Sequence, residues 1–93
     1  MILETYTKQP NEVQDYDIDY TEYLASMGDD SITAFEVLVP AGITVPSSLH
    51  ANGVVKVFVA GGTSGNKYIV TVRATTLGGR VREAEIAIKV VEY

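Results

Sequence analysis

Cysteine is absent from the chain, which removes disulfides, thiolate chemistry and cysteine-ligated zinc together. The compartment stays open, since a cysteine-free chain survives inside or outside a cell. Tryptophan is also missing, histidine occurs once, and no run of 18 apolar residues exists, so no membrane-spanning helix is expected. The start "MILETYTKQP" lacks a charged residue followed by an apolar run, and no secretory signal is expected from it. Positive charge is scarce too: seven Lys and Arg stand against twelve Asp and Glu, for a formal charge of −5. The acids gather in the first 36 residues while the bases are scattered. Nucleic acid and anionic membrane are therefore poor partners, because both demand clustered cations.

What is present is enough for one domain. A chain of 93 residues that is 46% hydrophobic builds a single core and hides roughly 60 to 65% of its unfolded surface. Such a core is thin, and association with other subunits would help it.

Period-two alternation recurs along most of the chain, whereas helical spacing is scarce. In "DYDIDY", Tyr16, Ile18 and Tyr20 share one face and Asp15, Asp17 and Asp19 the other, the pattern of a half-buried strand. The stretch "TEYLASMGDD" suits one or two helical turns over residues 21–27, capped by Thr21 and ended by Gly28. A second strand, "SITAFEVLV", stops at Pro40 and Gly42. A short extended "ITV" leads into "PSSLHANG", which reads as a loop with a turn at Asn52 and Gly53. "VVKVFVA" follows as a strand that could be buried on both faces apart from Lys56.

The glycine-rich residues 61–65 feed a strand with Tyr68, Val70, Val72 and Ala74 on one side. "LGG" then turns into "RVREAEIAIKVVEY", with Ala84, Ile86, Ile88 and Val90 inward, as an antiparallel hairpin. The sum is an all-β, immunoglobulin-like antiparallel β-sandwich of about seven strands with one short helical turn. Tyr68 sits where such sandwiches keep a tyrosine corner, its hydroxyl bonded to upstream backbone; the alternative is a tyrosine that merely packs. "MILETYTKQP" has no place in this pattern. Residues 1–10 are expected as an extended arm and residues 11–93 as the sandwich.

Sites for chemistry are hard to find. Asp15, Asp17 and Asp19 reproduce the opening D-x-D-x-D of a calcium loop, in which alternate carboxylates converge on one hard cation. The loop fails at its sixth position, Tyr20 in place of glycine, and at its twelfth, Ser26 in place of glutamate. A looser site that adds Asp29 and Asp30 is the remaining calcium reading. Asp17 and Asp19 would stand about 7 Å apart on one strand face, a separation used in glycoside hydrolysis, but no aromatic cleft accompanies them. His50 has Ser47 and Ser48 nearby in sequence but no G-x-S-x-G elbow. "GGTSGNK" lacks the spacing of a phosphate loop. Neither a catalytic residue nor a cofactor is assigned.

Surface features remain. Tyrosine is favoured where one end of a ring is apolar and the other wet, and Tyr6, Tyr16, Tyr20, Tyr23 and Tyr93 are many for so short a chain. Tyr16 and Tyr20, which share their face with Ile18, are equally explained as core. An arm carrying Ile2, Leu3 and Tyr6 could add to the edge of a neighbouring sheet. Asp15, Asp17 and Asp19 form an acidic rail that either protects an edge strand or meets a basic patch on a partner.

In order, "KQPNE", "DYDID", the "YL" pair at Tyr23 and Leu24, "GDDSI", "VPAG", "GGTSGNKY" and "GR" before the last strand resemble the pattern of the phage fibre-tail adaptor proteins, a family of small bacteriophage virion proteins. The resemblance runs from Lys8 to Val90 and departs at Tyr23, where the family usually carries tryptophan. It implies a non-enzymatic structural component of a tailed-phage virion, made in the bacterial cytoplasm and acting in the tail or at the fibre attachment. Its implied partners are other virion proteins, with self-association in a symmetric assembly. Capsid decoration and binding of host-surface carbohydrate are the alternative roles.

Overall fold

The computed structural model of the chain describes residues 2–92. Tyr93, one of the interface tyrosines expected from sequence, lies outside them, as does Met1 of the expected arm. Seven strands and one helix follow in the order β1 (Ile2–Lys8), β2 (Gln14–Asp19), α1 (Thr21–Ser26), β3 (Ile32–Leu38), β4 (Ile43–Ala51), β5 (Val54–Gly61), β6 (Lys67–Thr76) and β7 (Val81–Val90).

They form two sheets, a four-stranded one ordered β1-β7-β6-β3 and a three-stranded one ordered β2-β5-β4. Lettering the strands A to G in chain order gives B-E-D packed on G-F-C, the immunoglobulin arrangement, with the first strand moved across to lie beside the last. Inward side chains meet between the sheets: Ile18, Val55, Val57 and Val59 from one, Val70, Val72, Ile86 and Ile88 from the other, all almost fully buried. Alternation along each strand is the cause, because one face of each sheet must leave water.

The first strand corrects the expected arm. Residues 2–8 are extended, but they pair in parallel with β7, from Ile2 opposite Glu85 to Lys8 opposite Val90. That makes the only parallel ladder among the described strands, and it joins segments at opposite ends of the chain. The loop expected at "PSSLHANG" is likewise mostly strand, since β4 continues to Ala51 before Asn52 and Gly53, both at positive φ, turn it into β5. Its register slips between Thr44 and Ser47, around Pro46. A proline that cannot donate to a ladder is tolerated at such a bulge on an edge strand.

The helix begins one residue earlier than a Thr21 cap would place it. Tyr20 is the N-cap, and the Asp19 carboxylate accepts from the Thr21 backbone N–H at 2.8 Å and from its hydroxyl at 2.6 Å. Leu24 is the helix's buried anchor, and Gly28 and Asp29, at φ 78° and 59°, end the segment.

The two core tyrosines differ. Tyr20 donates its hydroxyl to the Val72 carbonyl at 2.8 Å, tying one sheet to the other, and burial pushes its pKa up to about 12. The Tyr16 hydroxyl is buried with no hydrogen-bond partner among the described residues, so the core uses its ring alone.

Candidate functional site

Lys8 is the least expected feature. Lysine is seldom fully buried, yet this side chain is 1% exposed. Its ammonium donates to the carbonyls of Gly61 at 2.6 Å, Gln9 at 2.7 Å and Pro10 at 3.4 Å, and burial lowers its pKa. A turn closes around it, with the Gln9 backbone N–H donating to Glu12 Oε1 at 2.7 Å. The ammonium therefore fastens the end of β1 to the corner after β5. Nothing in the composition signals this, since a lone lysine among polar residues ordinarily stays in water.

Tyr68 stands at the same end. Its hydroxyl accepts from the Thr63 backbone N–H at 2.9 Å and from Asn66 Nδ2 at 3.4 Å. Asn66, with Thr63 second, holds the phenol below its ordinary pKa. This is the bond back to upstream backbone that a tyrosine corner requires.

The acidic rail is largely spoken for. Lys56, on the neighbouring β5, places its ammonium 3.0 Å from Asp15 and 3.1 Å from Asp17. Its hydrogen bond lowers the Asp15 pKa, and hydrogen bonds from Thr21 lower that of Asp19. Asp30 is held to about 2, first by the Thr76 hydroxyl, with further bonds from the Gly78 and Ser31 backbone and from Arg80 at 2.9 Å. No group of three His, Cys, Asp or Glu side chains among the described residues is arranged to hold a metal ion. His50 packs edge-on against Phe35, ring centres 5.5 Å apart, while Ser47 and Ser48 lie along β4.

What the fold leaves open is edge and face. β1 is the outer strand of its sheet, and Ile2 and Leu3 are 46% and 44% exposed on it. Tyr6 is half-buried, its ring 4.5 Å from that of Tyr16 and tilted by 35°. Both edges of the smaller sheet are blunted, β2 by its carboxylates and β4 by Pro46 and the slip beside it, devices that discourage unwanted pairing, while β3 forms the far edge of the larger sheet. Tyr23 lies against the β7 side of the helix, where the Arg82 guanidinium sits 4.6 Å above its ring. Leu3, Tyr23 and Arg82 line an open groove of about 410 Å³. Sequence reasoning missed Arg82, whose partner becomes visible only once the helix is placed.

Asp15, Asp17, Asp19 and Asp30 are thus tied to neighbouring cations, hydroxyls and backbone, and the sandwich offers open strand edges and shallow faces. A family profile described as podophage GP4 fiber-tail adaptor protein gp77 matches residues 8–89, and the chain belongs to that family. Its role at family level is that of a structural tail adaptor of a phage virion. Comparison with curated proteins gives no match.

Proposed function

We propose that the chain is a non-enzymatic connector at the junction of tail and fibre, working through β-sheet edges and faces rather than through a cleft. The observation that carries this is β1. It lies at one of the two edges of the larger sheet and exposes Ile2 and Leu3, so a strand from a neighbouring virion subunit can extend the sheet there and pack on those side chains. Tyr6 backs that edge against the core through Tyr16. Self-association within a symmetric tail assembly belongs to the same reading, and nucleic acid and membrane do not, given the charge of −5.

The test is a double substitution, Ile2→Asp with Leu3→Asp. Both side chains are exposed, so the folded domain is expected to change in stability by only about 0.5 kcal/mol per site. Incorporation into particles is expected to fall at least roughly tenfold, the effect of losing about 1.4 kcal/mol of contact, measured by quantifying the subunit in purified virions. Normal incorporation of a well-folded variant would remove β1 from the interface.

A further inference from the structure

The cations of this acidic chain are almost all engaged. Of the seven Lys and Arg residues, Lys8 is bound by carbonyls, Lys56, Arg73 and Arg80 are ion-paired, and Arg82 covers Tyr23. Lys67 and Lys89 are left, with no ion pair among the described residues. They stand directly opposite each other across β6 and β7, a placement that sets like charges about 5 Å apart at Cβ and is unfavourable in isolation. Lysines often guard a sheet edge, but β6 and β7 are both interior strands, so edge protection does not account for them. Lys67 borders a shallow groove of about 490 Å³ with Leu38, Val39, Pro40 and Ile69 along it, and Glu85 also contributes. Leu38 and Val39 are each 37% exposed.

The opposite end of the molecule has the complementary character. The β6–β7 hairpin turns there, and Asp30 bonds its Gly78 backbone N–H, which fixes the segment after α1 beside it. Glu22 and Asp29 are exposed at this end with no ion pair among the described residues. Leu77, Val81 and Met27 are exposed beside them at 75%, 63% and 38%. One end thus offers two free cations with apolar neighbours, and the other offers two free carboxylates with apolar neighbours.

We infer that the Lys67–Lys89 face binds the Glu22–Asp29 end of a second copy of this chain. The inference rests on the reading of the protein as a self-associating adaptor and names the surfaces. Each copy carries a charge of −5, so random encounters are repelled and the lysine face is where another acidic copy can approach. Because the two surfaces differ, the contact is head-to-tail and repeats in one direction, closing into a ring or continuing as a column.

Zero-length carbodiimide coupling of the full chain at high concentration, read by mass spectrometry, tests this. Within one copy Lys67 lies about 30 Å from the hairpin end of β6, and Lys89 about 20 Å from the Arg82–Ala84 stretch that shares a groove with Glu22, at about 3.3 Å per residue, so zero-length coupling of either lysine to Glu22 or Asp29 joins two copies. These links are expected. K67E/K89E and E22K/D29K, each folded by circular dichroism, are each expected to weaken self-association at least tenfold in sedimentation. An equimolar mixture of the two is expected to restore it, because the reversed faces complement one another. Absence of the links, or a mixture that stays as weak as its components, would overturn the contact. If either variant loses self-association but still fills the tail–fibre junction, this contact is overturned there and the adaptor reading stands. Particles with no copy at the tail would instead defeat the adaptor reading.

Discussion

Lys8→Met is expected to destabilise the domain by about 3 kcal/mol, a large share of the roughly 5 to 15 kcal/mol that holds a protein of this kind folded. Methionine keeps the stem and most of the volume, so the loss isolates the ammonium. Its two short bonds, to Gly61 at 2.6 Å and Gln9 at 2.7 Å, are charge-assisted and worth about 1.5 to 3 kcal/mol each. Removing the donor leaves those carbonyls facing an apolar stem with little access to water. Against this stands relief from burying a cation whose pKa burial lowers, a cost that the nearby Glu12 carboxylate offsets in part. The loss of two bonds in a closed corner outweighs that relief, because the carbonyls cannot turn away without unmaking the end of β1.

Lys56→Met is the matching control. Lys56 touches two carboxylates at 3.0 and 3.1 Å, so a count of ion pairs would rank it above Lys8. Exposed pairs are worth little, about 0 to 1 kcal/mol, and its loss should be correspondingly small. Urea unfolding of both variants decides between burial and pair-counting, and equal losses would contradict the lock.

Gly62→Ala is expected to cost about 3 to 4 kcal/mol and to lower the melting temperature by roughly 15 to 25 °C, at about 4 to 8 °C per kcal/mol for a domain of this size. Two effects add. The backbone there has φ +102°, a conformation that costs a side chain about 1 to 3 kcal/mol. A Cβ would also lie 2.6 Å from Val90 Cγ2 and 3.4 Å from Ile43 and Tyr68, and overpacking a closed core costs about 1 to 3 kcal/mol. Val90 is fully buried and cannot retreat. Gly65→Ala separates the two effects: φ is +92° and nothing lies within 4 Å of the added carbon. Only the backbone cost remains there, so its melting temperature should fall by less than half as much. Equal falls would mean that packing against Val90 contributes nothing.

Both substitutions fall at the end of the sandwich where the first and last strands are fastened, and that region was only partly legible in the sequence. Strands of period two declared themselves: the faces of β2, β6 and β7 lie where alternation put them, because burial of one face is decided by local pattern. Tyr68 and the Asn52–Gly53 turn were readable for the same reason, since their chemistry is local. β1 was not, because its side chains hardly alternate and its partner β7 lies at the far end of the chain. β4 was hidden by Pro46 and two serines, a composition that suits a loop and is tolerated on an edge. Lys56 between Asp15 and Asp17 needed the register of β2 on β5 before it meant anything. The opposition of Lys67 and Lys89, by contrast, follows from the hairpin at Leu77–Gly79 once that turn is recognised.

The proposed role, a sandwich that connects tail and fibre through its edges and faces, fixes where the subunit must sit in the particle. A density map of the intact particle is expected to show copies at the tail–fibre junction, in a number set by the tail's symmetry, with β1 against a neighbouring subunit. Copies seated on the capsid surface, at a fixed number per capsid hexamer, would contradict it.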